Sequence, residues 1–363
     1  MEKIDLIYTT SKKSCEIFVG VDLLNFLAND FKKNPLGNHL AIITDTNVER
    51  ILGNRLQRYL INSNLRTDMF AIRPGENSKQ WETAKSIFEW MVDLGFDRKS
   101  TLLALGGGVV GDLTGFVASL YMRSIPYVQI PTTLLAQVDS SVGGKTAIDL
   151  GEKKNLLGTF HQPDRVYVDL SLLSTLSQAE IQNGLAEVIK SAVIRDRVSF
   201  EFLEDRYEAV LSGERDILER LVTRCLRIKS TIVTKDEKDR GLRQILNFGH
   251  TVGHAIESYT DYSVPHGRAV SMGISAETAV AAGMGLLRVE EMKRILRLLD
   301  HFGLPTRIPK DYDRKNLVVL MHSDKKAEEG RISMVLPTAI GTVSTKRDIP
   351  PFLIESVLEE VTE

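Results

Sequence analysis

The feature that most constrains the fold is a change of pattern near residue 175. Before it, short aliphatic runs alternate with helical stretches. His39–Asp45 reads as a buried strand followed by a helix through Leu60. Residues 68–72 read as a second strand ended by Pro74 and Gly75, 101–105 as a third, and 127–130 as a fourth stopped by Pro131. Strands alternating with helices predict a parallel sheet covered on both faces. After Ser177 the periodicity is helical, through 216–233, 267–287 and 290–302. Only 331–336 and 341–346 read as strands, a late hairpin. The expected fold class is an α/β domain over 1–176 followed by an all-α domain over 177–363. Binding sites concentrate in the cleft between two such domains. At 363 residues the chain is long for a single core, which agrees with two.

Composition removes several functions. A net charge of −2 gives no reason to expect nucleic acid or an anionic membrane as partner. No apolar run approaches the roughly 18 residues of a membrane span. The opening Met1-Glu2-Lys3-Ile4-Asp5 lacks the basic and then apolar pattern of a signal peptide, so a cytoplasmic location is expected. Cys15 and Cys225 are too few and too far apart for a disulfide framework.

Gly106, Gly107, Gly108, Val109, Val110, Gly111 and Asp112 follow a predicted strand and open a predicted helix. They match the G-x-G-x-x-G pattern that brings backbone close to a pyrophosphate. The turn lies deep in the chain rather than after the first strand, and no acidic residue follows about 20 positions later, where the usual fingerprint places one. Asp45 ends an earlier strand instead, where a carboxylate can take ribose hydroxyls, favouring NAD over NADP. Pro74, Gly75, Glu76 and Lys79 form a second strand-end turn. Gly143-Gly144-Lys145-Thr146 resembles the end of a phosphate loop, but Asp139 stands where that loop needs glycine, which disfavours a Walker-type ATPase.

The helical half carries His250 and His254, spaced to share one helix face, then His266, and Glu187 further upstream. Imidazoles converging with a carboxylate suit a divalent transition metal. Thr251 occupies the place of the general-base Glu in His-Glu-x-x-His, which disfavours a metalloprotease. Glu187 and Lys190 are helical neighbours, either a surface ion pair or, given Leu185, Ala186, Val188 and Ile189 around them, a partly buried one. Lys145, Lys154 and Asn155 read as anion donors or as a solvated loop. With Lys190, Lys229, Arg243, Asn247 and the Lys325-Lys326 pair they suggest a substrate carrying carboxylate and phosphate.

In this order and spacing, the segments 106–112, 131–146, 154–155, 185–190 and 236–257 resemble the 3-dehydroquinate synthases, members of the sugar phosphate cyclase superfamily. The resemblance runs from Asp45 to Lys326. It implies a dehydroquinate synthase-like fold with a Rossmann-like NAD domain, a helical metal-binding domain and a homodimer. It further implies NAD and zinc or cobalt as cofactors. The implied reaction turns 3-deoxy-D-arabino-heptulosonate 7-phosphate into 3-dehydroquinate and phosphate, the second step of the shikimate pathway. Its stages are transient oxidation, phosphate elimination, reduction and aldol closure, with the substrate's phosphate taking the proton.

Carried over by motif, Glu187, His250 and His266 hold the metal, and His254 stands beside it as an orienting or proton-handling residue. Lys145, Asn155, Lys190, Lys229, Arg243, Asn247 and one or both of Lys325 and Lys326 hold the substrate, and Arg123 reaches its phosphate, either in cis or across a dimer interface. Asp45, Asn47, Glu76, Lys79, Gly107, Gly108, Val109, Asp112, Thr132, Thr133, Asp139, Lys145 and Lys154 fall on the nucleotide side. Two positions depart from the family: Asp239 stands where Glu is usual, and Arg268 follows His266-Gly267 where an acid is common. Competing readings are a sister cyclase making 2-deoxy-scyllo-inosose or a valiolone, and a metal-dependent alcohol or glycerol dehydrogenase. The dehydrogenase has no need of Lys145, Lys190, Lys229 and Arg243.

Overall fold

The computed structural model describes residues 14–151, 153–323 and 332–362. Lys325 and Lys326 lie outside them. The first half holds strands β1 (Glu16–Gly20), β2 (His39–Asp45), β3 (Thr67–Ile72), β4 (Ser100–Gly106), β5 (Tyr127–Pro131), β6 (Lys145–Leu150), β7 (Lys153–Phe160) and β8 (Arg165–Asp169). Helices α1 (Leu23–Lys33), α2 (Thr46–Val48), α3 (Asn54–Asn62), α4 (Trp81–Asp93) and α5 (Gly108–Leu120) connect them. Six strands form a parallel sheet in the order β1-β8-β5-β4-β2-β3.

Strand periodicity explains both covered faces. Ala41, Ile43, Leu102 and Ala104 point to a core shared with α4 and α5, while Leu40, Ile42, Leu103 and Leu105 point to one shared with α1 and α3. On α1, Leu24, Leu27, Ala28 and Phe31 recur at helical spacing and supply the covering stripe. The helix expected through Leu60 runs unbroken from Thr46 to Asn62, with a π-helical turn, Glu49–Gly53, between α2 and α3. The stretch around Lys145, Lys154 and Asn155 is a two-stranded antiparallel hairpin, β6 with β7, rather than a loop.

Helices α6 (Gln178–Arg195), α7 (Arg197–Leu211), α8 (Arg215–Lys235), α9 (His250–Tyr259), α10 (His266–Gly283), α11 (Val289–His301) and α12 (Arg314–Ser323) make up the second half. They are followed by the expected hairpin, β9 (Met334–Ala339) with β10 (Thr342–Lys346), and by α13 (Pro351–Glu360). The helical core extends into the first half: Leu134, Val138, Val166 and Val168 pack with Leu185, Ile189 and Phe248. No helix among the described residues is long and apolar enough to cross a membrane.

Candidate metal and nucleotide site

Glu187 sits in the middle of α6, His250 begins α9 and His266 begins α10, so three helices each present one donor. Their ligand atoms all lie within 4.8 Å of one another. Glu187 is fully buried, and its Oε1 lies 3.3 Å from Nε2 of His266 and 3.6 Å from Nε2 of His250. Both imidazoles are oriented through the other nitrogen. His250 Nδ1 is 3.1 Å from the Phe248 carbonyl, and His266 Nδ1 is 3.4 Å from Glu257 Oε1. An Nδ1–H donated to those oxygens leaves each Nε2 lone pair turned toward the centre, the tautomer a metal needs. Two imidazoles and a carboxylate in that arrangement fit a divalent ion with coordination positions to spare.

Local structure delivers these donors. The Asn183 side chain on α6 accepts the Gly267 N–H at 2.5 Å, fixing the start of α10 beside His266. Burial works against a charged His266, but Glu187 and Glu257 outweigh it and its ring is pushed up to about 10. Burial likewise opposes the charge on Glu257, yet His266 and Lys154 hold it down to about 2. His254 lies one turn beyond His250 with its ring edge-on to that imidazole, centroids 5.2 Å apart, outside the ligand set.

A chain of buried charges continues from the metal set. Lys190 is paired with Glu187 Oε2, and its Nζ is 4.0 Å from Asp139 Oδ1. Lys229 donates to the Asp139 carbonyl at 2.7 Å and to Oδ1 at 2.8 Å. Burial disfavours charge on every member. Glu187 and Asp139 nevertheless keep Lys190 above its ordinary range, and Lys229 with Lys190 keeps Asp139 well below its own. Lys229 itself is lowered, because burial prevails there. The alternative of a surface pair at Glu187 and Lys190 is thereby corrected, since both are buried. Asp139 lies in a π-helical turn, Ala136–Ser140, where its carboxylate meets Lys190 of α6 and Lys229 of α8.

Arg243 is buried and donates to the Glu237 carbonyl at 2.7 Å. The Asp236 carboxylate accepts the N–H groups of Arg240, Gly241 and Arg243 and so shapes the loop carrying that guanidinium. Gly143 has φ of 107°, and a Cβ there would meet Arg243 Nη2 at 2.4 Å, so this turn needs glycine twice over. Lys145, half exposed, pairs with Asp239, the position that departs from the family pattern.

On the sheet side, Lys79 is buried between Asp112 Oδ2 and Asn155 Oδ1, each at 2.6 Å. Asp112 and Glu76 outweigh the burial that opposes its charge, and its ammonium is raised. Asp45 caps α2 by accepting from Asn47 and Val48 at 2.8 and 3.1 Å. Gly107, Gly108 and Val109 open α5 beside Thr133 and Ser140, and the Thr132 N–H donates to the Gly106 carbonyl at 3.0 Å. The glycines here serve close approach rather than unusual φ. A Cβ on Gly111 would stand 2.7 Å from Gln129, and one on Gly115 2.3 Å from Thr146 Cγ2.

Lys154 joins the two sides. Its Nζ lies 3.6 Å from Glu76, 3.5 Å from Glu257 and 4.3 Å above the Tyr262 ring. Glu76, Lys79, Asp112, Lys154 and Asn155 thus connect through Glu257 and His266 to the metal set. Asn247 is half-buried, in the chain segment that leads from Arg243 to His250. Arg123 stands apart, exposed on the turn after α5, where Met122, Arg123 and Ser124 have φ of 50°, 69° and 95° in succession. Lys325 and Lys326 fall outside the described residues. Sequence reasoning gave no role to Asn183, Asp236, Glu257 or Glu277. Glu257 carried a signal, since it lies one turn beyond His254.

The fold and the site define a class: two-half α/β and helical proteins in which a carboxylate–imidazole set able to hold a metal is linked through Glu257 and Lys154 to the residues around a glycine turn. Within it, the family descriptions "3-dehydroquinate synthase N-terminal" and "3-dehydroquinate synthase C-terminal" match residues 69–183 and 184–327. The 3-dehydroquinate synthase of Desulforamulus reducens is 41% identical over 349 residues, covering 96% of this chain and 97% of that protein. Among solved structures, the 2-epi-5-epi-valiolone synthase of Streptomyces hygroscopicus with NAD+ and Zn2+ bound superimposes with a TM-score of 0.91 at 28% identity, covering 98% of this chain and 99% of that one. A 2-deoxy-scyllo-inosose synthase complexed with carbaglucose-6-phosphate, NAD+ and Co2+ gives 0.86 at 25% identity over 95% and 96%. The chain belongs to the 3-dehydroquinate synthase family.

Proposed function

We propose that the cleft converts 3-deoxy-D-arabino-heptulosonate 7-phosphate into 3-dehydroquinate and phosphate, with NAD and one divalent metal, zinc or cobalt, as resident cofactors. The observation that carries this reading is the Glu187–His250–His266 set joined directly to a buried cationic network. A simple alcohol dehydrogenase has no use for that network, whereas a substrate with a carboxylate and a phosphate needs it. Family membership favours this substrate over those of the sister cyclases.

Glu187, His250 and His266 hold the metal, and Asp45, Asn47, Glu76, Lys79, Gly107, Gly108, Val109, Asp112, Thr132, Thr133, Asp139, Lys145 and Lys154 line the nucleotide side. When bound, the metal polarises the substrate oxygen that becomes a carbonyl, and NAD takes up the hydride and later gives it back. Lys145, Lys190, Lys229, Arg243, Asn155 and Asn247 neutralise the charges that develop around that oxygen and orient the sugar acid. Elimination breaks the acidified C–H and the C–O bond to phosphate. The departing phosphate takes the proton, which relieves the chain of supplying a separate base. His254 handles the hydroxyl proton beside the metal.

The boundary between the nucleotide half (1–176) and the metal half (177–363) is placed near residue 176. The chain acts in the cytoplasm as a homodimer, without nucleic acid or membrane partners. Pairing is supported by the exposed apolar side chains of Leu150, Leu156, Leu157 and Phe160 on the β6–β7 hairpin, together with Leu120 and Met122 at the end of α5. Pairing there would carry Arg123 toward the second copy's phosphate. The test is phosphate release from the heptulosonate phosphate with NAD and zinc. Turnover of glucose 6-phosphate or sedoheptulose 7-phosphate in its place would move the chain to a sister activity.

A further inference from the structure

The helix that carries His250 has no side-chain cap of its own. Gly249 occupies the cap position with φ of 79°, and no residue beside it offers an oxygen to the first N–H groups. Those groups would be orphaned in a buried setting, at a cost the fold must offset. A carboxylate from another helix satisfies them. Glu277 lies on α10, fully buried, about three helical turns beyond His266 and therefore on the same face. Its Oε2 accepts the Gly249 N–H at 2.7 Å, and its Oε1 accepts those of Thr251 and Val252 at 3.0 and 3.3 Å. A negative group at that end also suits the helix dipole.

The same two helices meet with no room to spare. A Cβ on Gly273 would stand 1.9 Å from the Gly249 carbonyl oxygen, one on Gly253 3.2 Å from the Ala269 carbonyl, and one on Gly249 2.6 Å from Ile274. Thr251 Oγ1 anchors the first turn from another side by donating to the Ser333 carbonyl at 3.2 Å. The N–H groups held by Glu277 flank His250 in the chain. The carboxylate therefore fixes the backbone of one metal-binding histidine to the helix that begins with another.

We propose that Glu277 is a positioning residue for the metal centre. By bracing the α9 N-terminus from α10, it sets the His250 imidazole at the distance from His266 and Glu187 that a metal ion requires. The inference rests on the ligand set proposed above. It adds a requirement for that set which no ligand residue supplies.

Glu277→Gln tests it at nearly constant volume. An amide accepts at one end and donates at the other, so one end must oppose a backbone N–H whichever way it is flipped. The variant should fold, bind NAD as the parent does and lose zinc affinity about tenfold or more in competition with a chelator, the range seen when partners of metal ligands are removed. Saturating zinc should restore kcat. A folded Glu277→Gln protein with parental zinc affinity overturns the proposal. His250→Ala, run alongside, separates the two ideas. Zinc retained by His250→Ala overturns the ligand set itself, whereas zinc lost there but held normally by Glu277→Gln overturns only the positioning role. If Glu277→Gln does not fold, amide exchange in the unaltered protein decides. Zinc should slow exchange at Gly249, Thr251 and Val252, and unchanged rates overturn the proposal.

Discussion

Around the glycine turn the cleft is made of backbone, small residues and strand ends, and what matters is how closely chains approach. Around Glu187 it is made of charges sealed inside an apolar core, and what matters is that every charge has its counterpart. The first region is legible as periodicity. The second is costly to assemble without excellent geometry, because desolvating two ions is offset only when each finds its partner. The difference teaches where this chain keeps its rigidity: the glycine-turn side joins close backbone approach to one buried pair, Lys79 with Asp112, whereas the Glu187 side rests on electrostatic balance throughout. Substitutions should therefore fail in different currencies on the two sides.

The sharpest break between them is His250→Ala. Bound metal should be lost altogether while NAD affinity stays at the parental value, measured by elemental analysis and by nucleotide titration. Loss of both would show that the two sides are not separable.

Next in size is Lys190→Met, which takes from buried Glu187 its nearest cation and leaves it the His266 ring alone as a charged partner. Destabilisation of about 3–5 kcal/mol is expected in the metal-free protein, the usual cost of breaking a buried pair. Zinc should recover part of it by supplying the missing positive charge. Denaturant melts with and without zinc check this.

A smaller loss is expected on the sheet side. Gly115→Ala forces a methyl group against Thr146 Cγ2 and Tyr127, costing about 1–3 kcal/mol, with metal affinity unchanged and NAD affinity reduced as α5 shifts. Paired calorimetry of the two ligands reads both effects.

The smallest effect is one of pH, and it belongs to the helical half. Burial alone would raise the Asp196 carboxyl, but hydrogen bonds from Arg224, both at 2.8 Å, and from Ser199 hold it below its ordinary range. A depressed carboxyl adds stability that is complete above its unfolded pKa, near ~3.9, and disappears as pH falls through the folded value. Arg224 is exposed enough for solvent to screen the pair, so the contribution stays below about 1 kcal/mol. Asp196→Asn should lower stability at neutral pH by up to that amount, leave stability at the acid end nearly unchanged, and so flatten the acid limb of the stability–pH curve.

The sequence expectations succeeded where local pattern carries the information. The predicted strand His39–Asp45 coincides with β2, because a run buried on both faces is continuous and apolar. Strand β1 is short and half-exposed, and β8 begins with Arg165 and ends with Asp169, so neither stood out from loop. The β6–β7 hairpin was hidden by its lysines, and its second strand is largely exposed. Residue type and spacing singled out Glu187, His250, His254 and His266, and only the family resemblance set His254 apart from the three whose donors the structure brings within 4.8 Å. The depth of the Glu187–Lys190 pair was not, because burial depends on which helices pack around α6. Glu277 was invisible for the same reason: its partners lie on a different helix, and a lone Glu in a helix announces nothing.

The turn at Met122, Arg123 and Ser124 has a consequence for anyone seeking a more heat-resistant variant. Three consecutive side-chain-bearing residues in left-handed backbone store strain, roughly 1–2 kcal/mol apiece. Glycine at 122 or 124 would release some of it and raise the melting temperature. The same change would free the neighbouring guanidinium to swing. Under the phosphate-binding role proposed for Arg123, heat resistance and the aim of its guanidinium are opposed at a single exposed turn, and an improvement scored on melting temperature alone would select against that aim.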